Sequence, residues 1–257
     1  MKNLPSFNLN GYRRLIRAFF DRGVTFCSAN KFSSLGHNCV FLRHDIDFSL
    51  ELVVPMASIE AEMGVESTYY VLLSGPYNPC SKVSIGAMRD LRRMGHSIGL
   101  HYDLSVYPLD KEAANRRLDS EVAFLSEISE GPVETIVMHE PSKGGDDIFL
   151  NSDIYVNPTF YRDKYKDRLM YVSDSCRAWR DDSLIRYLSR EAMQDSILLN
   201  VHPESWLATN SQHRLTYLGE TLYPKIIDPL NKYFLERVYS AWETHEGVVL
   251  GSGDEDE

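Results

Sequence analysis

The stretch FLRHDIDFS, residues 41–49, crowds Arg43, His44, Asp45 and Asp47 into five positions at the end of an apolar run. Asp45 and Asp47, two apart across the end of a strand, can point in different directions, so that one holds a cation while the other takes a proton. Similar groups close other apolar runs: His101 and Asp103 after GHSIGL, His139 and Glu140 after TIVM, Asp174 after MYVS, and His202 after LLNV. Oxygen and imidazole donors without paired thiolates suit a divalent metal such as zinc, with a fourth position open to water. A histidine from a further strand could then protonate a leaving amine, which makes the set fit for metal-assisted hydrolysis of an amide or ester. Each residue also has a plainer role. A lone histidine after a strand is commonly a structural hydrogen-bonding group, and Asp or Ser where a strand meets a helix is commonly an N-cap, which accounts for Ser49 and in part for Asp174. Four of the eight histidines gathered at such ends is the stronger observation.

The elements that would position these groups alternate. Helical periodicity is read at 9–22, 50–63, 82–94, 109–129, 181–192 and 222–245; β-branched and aromatic runs are read as strands at 38–43, 65–73, 96–102, 133–139, 168–175 and 196–202. Gly64, Gly95 and Gly131 stop three of the helices. Residues 140–165 lack a pattern and are read as an irregular insertion. Alternation of this kind predicts an α/β domain with a parallel sheet, whose functional groups collect at the carboxyl ends of the strands. Six clear strands are too few for a regular eightfold barrel, so a smaller, distorted (β/α) barrel is expected, one domain over 1–250 with an acidic tail over 251–257.

A length of 257 residues with 43% hydrophobic composition is enough for a sizeable core, and a net charge of −10 leaves no basic face for nucleic acid or an anionic membrane. No run of 18 uncharged apolar residues and no signal-like segment is present, from which a cytoplasmic protein without a transmembrane segment is expected. The four cysteines are scattered without a CxxC pair and are expected to be reduced.

RHDID, GHSIGLHYD, MHEPS, YVSDS and NVHPESW, in this order and spacing over roughly 38–206, resemble the polysaccharide deacetylase (NodB-homology) family, and most closely its subgroup from surface-polysaccharide biosynthesis. The resemblance implies an irregular (β/α) barrel of about seven strands. It also implies roles: Asp45 as general base, Asp47 and His101 as metal ligands, His202 as general acid, and Asp174 as an acidic partner tuning the catalytic pair. The family's second histidine, four residues after the first, is here Ser105. His139, Asp103 or His44 could complete the site, of which His139 is favoured because it comes from a neighbouring strand end; weak or absent metal binding is the other possibility. His96 opens its strand and is read as structural. Tyr77 and Asn78, in the SGPYNPCS loop, and Trp206 are candidate sugar-binding residues; Trp179 and Trp206 fit stacking on sugar rings and burial in the core equally well.

The residue chemistry and the resemblance together imply an N-deacylase using a divalent metal, zinc by preference, on an N-acylated sugar or sugar-linked precursor. The alternatives are a metal-independent amide hydrolase using Asp45 and His202, and a catalytically silent carbohydrate-binding barrel, against which the presence of both Asp45 and His202 speaks.

Overall fold

The computed structural model describes residues 4–29, 38–141, 155–158, 165–209 and 213–239. Its strands are β1 (Thr25–Cys27), β2 (Cys39–Ile46), β3 (Thr68–Leu72), β4 (Ser97–Tyr102), β5 (Ile136–Met138), β6 (Leu169–Ser173) and β7 (Ser196–Val201). All pairs are parallel, and the order across the sheet is β5-β4-β3-β2-β7-β6. β1 pairs with residues 39–41 of β2 while β3 pairs with residues 43–46. Since β7 runs along the other edge of β2, β1 and β3 share one edge end to end. The sheet curls into a half-barrel, an α/β architecture of the distorted-barrel type. β1 is the strand that the sequence pattern did not show: three residues, none of them fully buried, carry too little alternation.

β2 is buried along its whole length, as expected of a central parallel strand covered on both faces. Its even-numbered residues face the helices. There α1 (Leu9–Arg22) and α5 (Ser183–Leu188) pack over β2, β7 and β6, and α2 (Val54–Glu62), α3 (Lys82–Arg93) and α4 (Lys111–Ile128) pack mainly over β3, β4 and β5. α1 shows why the pattern was legible. Tyr12, Leu15, Ile16 and Phe19 form one buried stripe, the Asn8 side chain accepts from Gly11 N at 2.7 Å, and Gly23 closes the helix at φ 80. Burying one such aliphatic or aromatic side chain contributes about 1.5–3 kcal/mol.

The odd-numbered residues of β2 face the concave side, and the register propagates that face across the sheet. Arg43 lies beside Thr68 and Asn200, Asp45 beside Tyr70, Tyr70 beside Gly99, and Leu72 beside His101, which is beside Val137. Phe41, Tyr70, Val137, Leu169 and Leu198 form the apolar floor of that face. The polar groups stand above it, at the carboxyl ends.

The chain divides into two compact units, Met1–Gln212 and His213–Glu257. The described part of the second is helical from Arg214 to Tyr239, with wider π turns at Leu218–Leu222 and Phe234–Tyr239. The helix expected at 222–245 therefore begins eight residues earlier; its end, most of the irregular 140–165 segment and the acidic tail lie outside the described residues. No helix of the described residues is long and apolar enough to cross a membrane.

Candidate active site

Three strand ends bring Asp47, His101 and His139 together. Asp47 is the first residue past β2, and His101 lies near the end of β4. His139 continues the β4–β5 ladder by one residue, its N–H donating to Tyr102 O at 2.8 Å, which puts its side chain next to that of His101. Asp47 Oδ1 lies 3.6 Å from His101 Nε2 and 3.5 Å from His139 Nδ1, and the two nitrogens are 3.2 Å apart. Ligands bound at 2.0–2.1 Å in a tetrahedron are about 3.4 Å from one another, so this triangle already has the size of one face of a zinc tetrahedron. Two further details fit a cation. Asp47 Oδ1 is buried with no hydrogen-bond partner, and His101 Nδ1 faces Val137 O at 3.1 Å, which leaves Nε2 with its lone pair toward the triangle. Burial alone would raise the Asp47 carboxyl, but the imidazoles of His101 and His139 outweigh it and hold the group well below the usual carboxylate range. The neighbouring Asp47 carboxylate in turn raises His139 against the effect of burial.

Asp45 sits beside this triangle on the concave face. Arg43, two residues earlier and hence on the same face, grips both of its oxygens at 2.7 and 2.6 Å, and Asn200 Nδ2 donates to Oδ2 at 2.9 Å. Burial works against the charge, yet Arg43 and then His101 keep Asp45 far below the ordinary carboxylate value. His202 completes the group, its Nε2 lying 4.0 Å from Asp45 Oδ2 and 4.0 Å from Asp47 Oδ2. Its other ring nitrogen, Nδ1, donates to Asp174 Oδ1 at 2.7 Å. Asp174, fully buried, also accepts from the backbone N–H of His202 at 2.9 Å and from Trp206 Nε1 at 2.7 Å. Burial pulls the His202 imidazolium down, but Asp174, Asp45 and Asp47 push it up to about 10. The arrangement therefore pairs an ionised carboxylate with a protonated imidazole across a short gap.

The other candidates lie elsewhere. His44 faces the helices, bonding Glu60 at 2.7 Å and Val201 O at 3.1 Å, so it cannot complete the triangle. Asp103 accepts from Ser105 N at 2.9 Å and Ser74 Oγ at 3.3 Å, and Ser105 itself is exposed in that turn. His96 is buried against Ser67 and Ala57 O. The expectation that Trp206 stacks on a sugar is corrected: it is 0% exposed, wedged against Phe7 and Tyr12 with its N–H on Asp174. Trp179 packs on Phe7 and Trp206 in the same cluster. Tyr77 is likewise committed inward, its hydroxyl donating to Ile46 O at 3.1 Å and accepting from Leu72 N at 2.9 Å. Asn78 is exposed, and its Oδ1 accepts from Cys80 N at 2.9 Å. Sequence reasoning noted Arg43 without giving it a role and passed over Asn200 and Glu204. The first two stand two residues before Asp45 and His202 on their strands, and the period-2 rule would have found both.

No family model and no curated protein matches the sequence. The chain is a distant structural match to proteins of carbohydrate esterase family 4. IcaB from Ammonifex degensii aligns at 14% identity and a TM-score of 0.45 over 55% of this chain and 69% of that one. A pseudoenzyme of the family from Bacillus anthracis aligns at 15% and 0.42 over 74% and 60%. The chitin deacetylase of Colletotrichum lindemuthianum aligns at 16% and 0.38 over 75% and 81%. Likenesses this distant leave the roles of residues to be argued from this chain alone.

Proposed function

We propose that this protein is a metal-dependent N-deacylase that removes an acyl group, acetyl by preference, from an amino sugar or sugar-linked precursor in surface-polysaccharide biosynthesis. The observation that supports this reading is the Asp47–His101–His139 triangle set against Asp45 and His202. Three protein ligands with a fourth position open is the pattern of a catalytic rather than a structural zinc site. A divalent cation bound there would supply Lewis acidity and a more acidic water. Asp45 accepts the proton of the attacking water; Arg43 keeps it ionised at every physiological pH and fixes its orientation, at a cost in basicity. His202, protonated on Nε2 and held by Asp174, gives its proton to the amine nitrogen as the C–N bond breaks, so that water divides into the hydroxyl of the acid product and a hydrogen on the amine.

The test is metal content and acetate release from N-acetylated hexosamine oligosaccharides, measured together. Asp47→Ala should lose both. Asp45→Asn should keep the metal and lose about 10²–10⁴-fold in turnover, the usual contribution of a positioned base. Activity that survives Asp47→Ala would point to the metal-free hydrolase, turnover that survives Asp45→Asn would remove Asp45 as the base, and absence of turnover in the metal-loaded wild type on every acylated sugar tried would favour the silent barrel.

A further inference from the structure

The peptide unit joining Ile46 to Asp47 is held at both ends by side chains from distant segments. Its carbonyl, Ile46 O, accepts from the Tyr77 hydroxyl at 3.1 Å. Its amide, Asp47 N, donates to Glu204 Oε1 at 3.0 Å, and the next amide, Phe48 N, donates to the same oxygen at 3.0 Å. Tyr77 comes from the loop between β3 and α3, and its hydroxyl is itself fixed by Leu72 N at the end of β3. Glu204 comes from the 3₁₀ turn Pro203–Trp206, two residues after His202, and is 2% exposed. β2 ends at Ile46, so Asp47 and Phe48 are where its ladder has stopped and their amides need another acceptor. Glu204 Oε1 is that acceptor, taking both N–H groups.

We propose that Glu204, acting with Tyr77, is a positioning residue for the metal centre: together they clamp the 46–47 peptide and so set the direction in which Asp47 leaves the strand. Rotation of that peptide would swing Asp47 Oδ1 out of the triangle it forms with His101 and His139. The clamp also ties the turn that follows the acid, His202, to the ligand loop, so the two halves of the site are placed by one side chain. The inference rests on Asp47 being a metal ligand.

The experiment is the affinity of purified protein for Zn²⁺, read by competition with a chromogenic chelator, with circular dichroism confirming the fold of each variant. Glu204→Ala should weaken binding by about 10–100-fold, the usual effect of losing a group that orients a ligand. Glu204→Gln, whose amide oxygen can still accept both N–H groups, should bind close to wild type. Tyr77→Phe should weaken binding about fivefold, the equivalent of one hydrogen bond. Wild-type affinity in folded Glu204→Ala would overturn the clamp while leaving Asp47 a ligand, and so would a Gln variant as weak as Ala. Should Glu204→Ala fail to fold, unchanged affinity in Tyr77→Phe overturns it equally. Failure of the wild type itself to bind zinc would instead remove the reading beneath it.

Discussion

Glu60 gives the sharpest quantitative prediction. It is fully buried on α2, and four donors converge on its two oxygens: the Tyr12 hydroxyl and His44 Nε2 at 2.7 Å on Oε1, and the Ser67 hydroxyl at 2.6 Å and the Tyr69 hydroxyl at 3.0 Å on Oε2. Glu60→Gln keeps the volume but leaves one acceptor oxygen and presents an NH₂ to the other pair. Two buried donors then lose their partner, at about 1–3 kcal/mol each, or about 2–6 kcal/mol in all. The acidity of the group leads to the same range by a separate route. Burial would raise the carboxyl, but His44, His96 and Ser67 bring it down to about 2 from an ordinary 4.5, which corresponds to about 3 kcal/mol. Because the folded value is the lower one, this stabilisation is fully present above pH 4.5 and is lost as pH falls toward 2. His96, held below its ordinary 6.5 by burial, acts in the same direction at higher pH, since the unfolded chain takes up a proton that the folded one refuses. Urea unfolding followed by circular dichroism should show a loss near 3 kcal/mol at pH 7 for Glu60→Gln and a shallower acid limb than wild type. Glu62→Gln, which removes an exposed ion pair with Arg13, should cost less than about 1 kcal/mol. A loss from Glu60→Gln as small as that of the control, or an unchanged acid limb, would refute the reasoning. The effect should reach the site as well, because His44 precedes Asp45 on β2 and bonds Val201, the residue before His202.

Asp174→Asn should lower His202 from about 10, since burial then acts against Asp45 and Asp47 alone, and should cost about 1–3 kcal/mol because one amide cannot accept from both His202 and Trp206; NMR titration of the metal-free imidazole and urea unfolding check the two parts, and an unmoved His202 would sink the first. Gly99→Ala should destabilise the sheet by about 1–3 kcal/mol, because an added Cβ would overlap the Tyr70 ring and lie 2.9 Å from Thr135 O beneath the site; unaltered unfolding in urea would show that the floor can yield.

The strands and helices with strong periodicity were legible because one face of each is buried and the other is not, or because both faces are. β1 was not, being three residues long, and its place is fixed by pairing with β2 rather than by its own pattern. The site was legible as a set of polar residues closing apolar runs, since parallel topology gathers such ends. What the sequence could not supply was direction. An aromatic residue after a polar strand end reads the same whether it faces a ligand or the core, and Trp206 faces the core. Glu204, in a turn two residues before Trp206, carries no sequence pattern that shows it to be buried with two backbone amides on one oxygen. Asp103 and His44 have the chemistry of ligands and are occupied elsewhere, in a turn and with Glu60.

The pairing of β2 with β7 joins segments about 150 residues apart in the chain. During synthesis β2 therefore emerges long before the strand that covers one of its edges. Until then a strand eight residues long, buried on both faces in the finished fold, stands with that edge open, the condition in which chains pair with one another. His202 and Glu204 arrive with the same late segment. Completion of the candidate site and protection against aggregation are thus a single folding event, so a nascent chain stalled before residue 196 would both lack His202 and be prone to self-association.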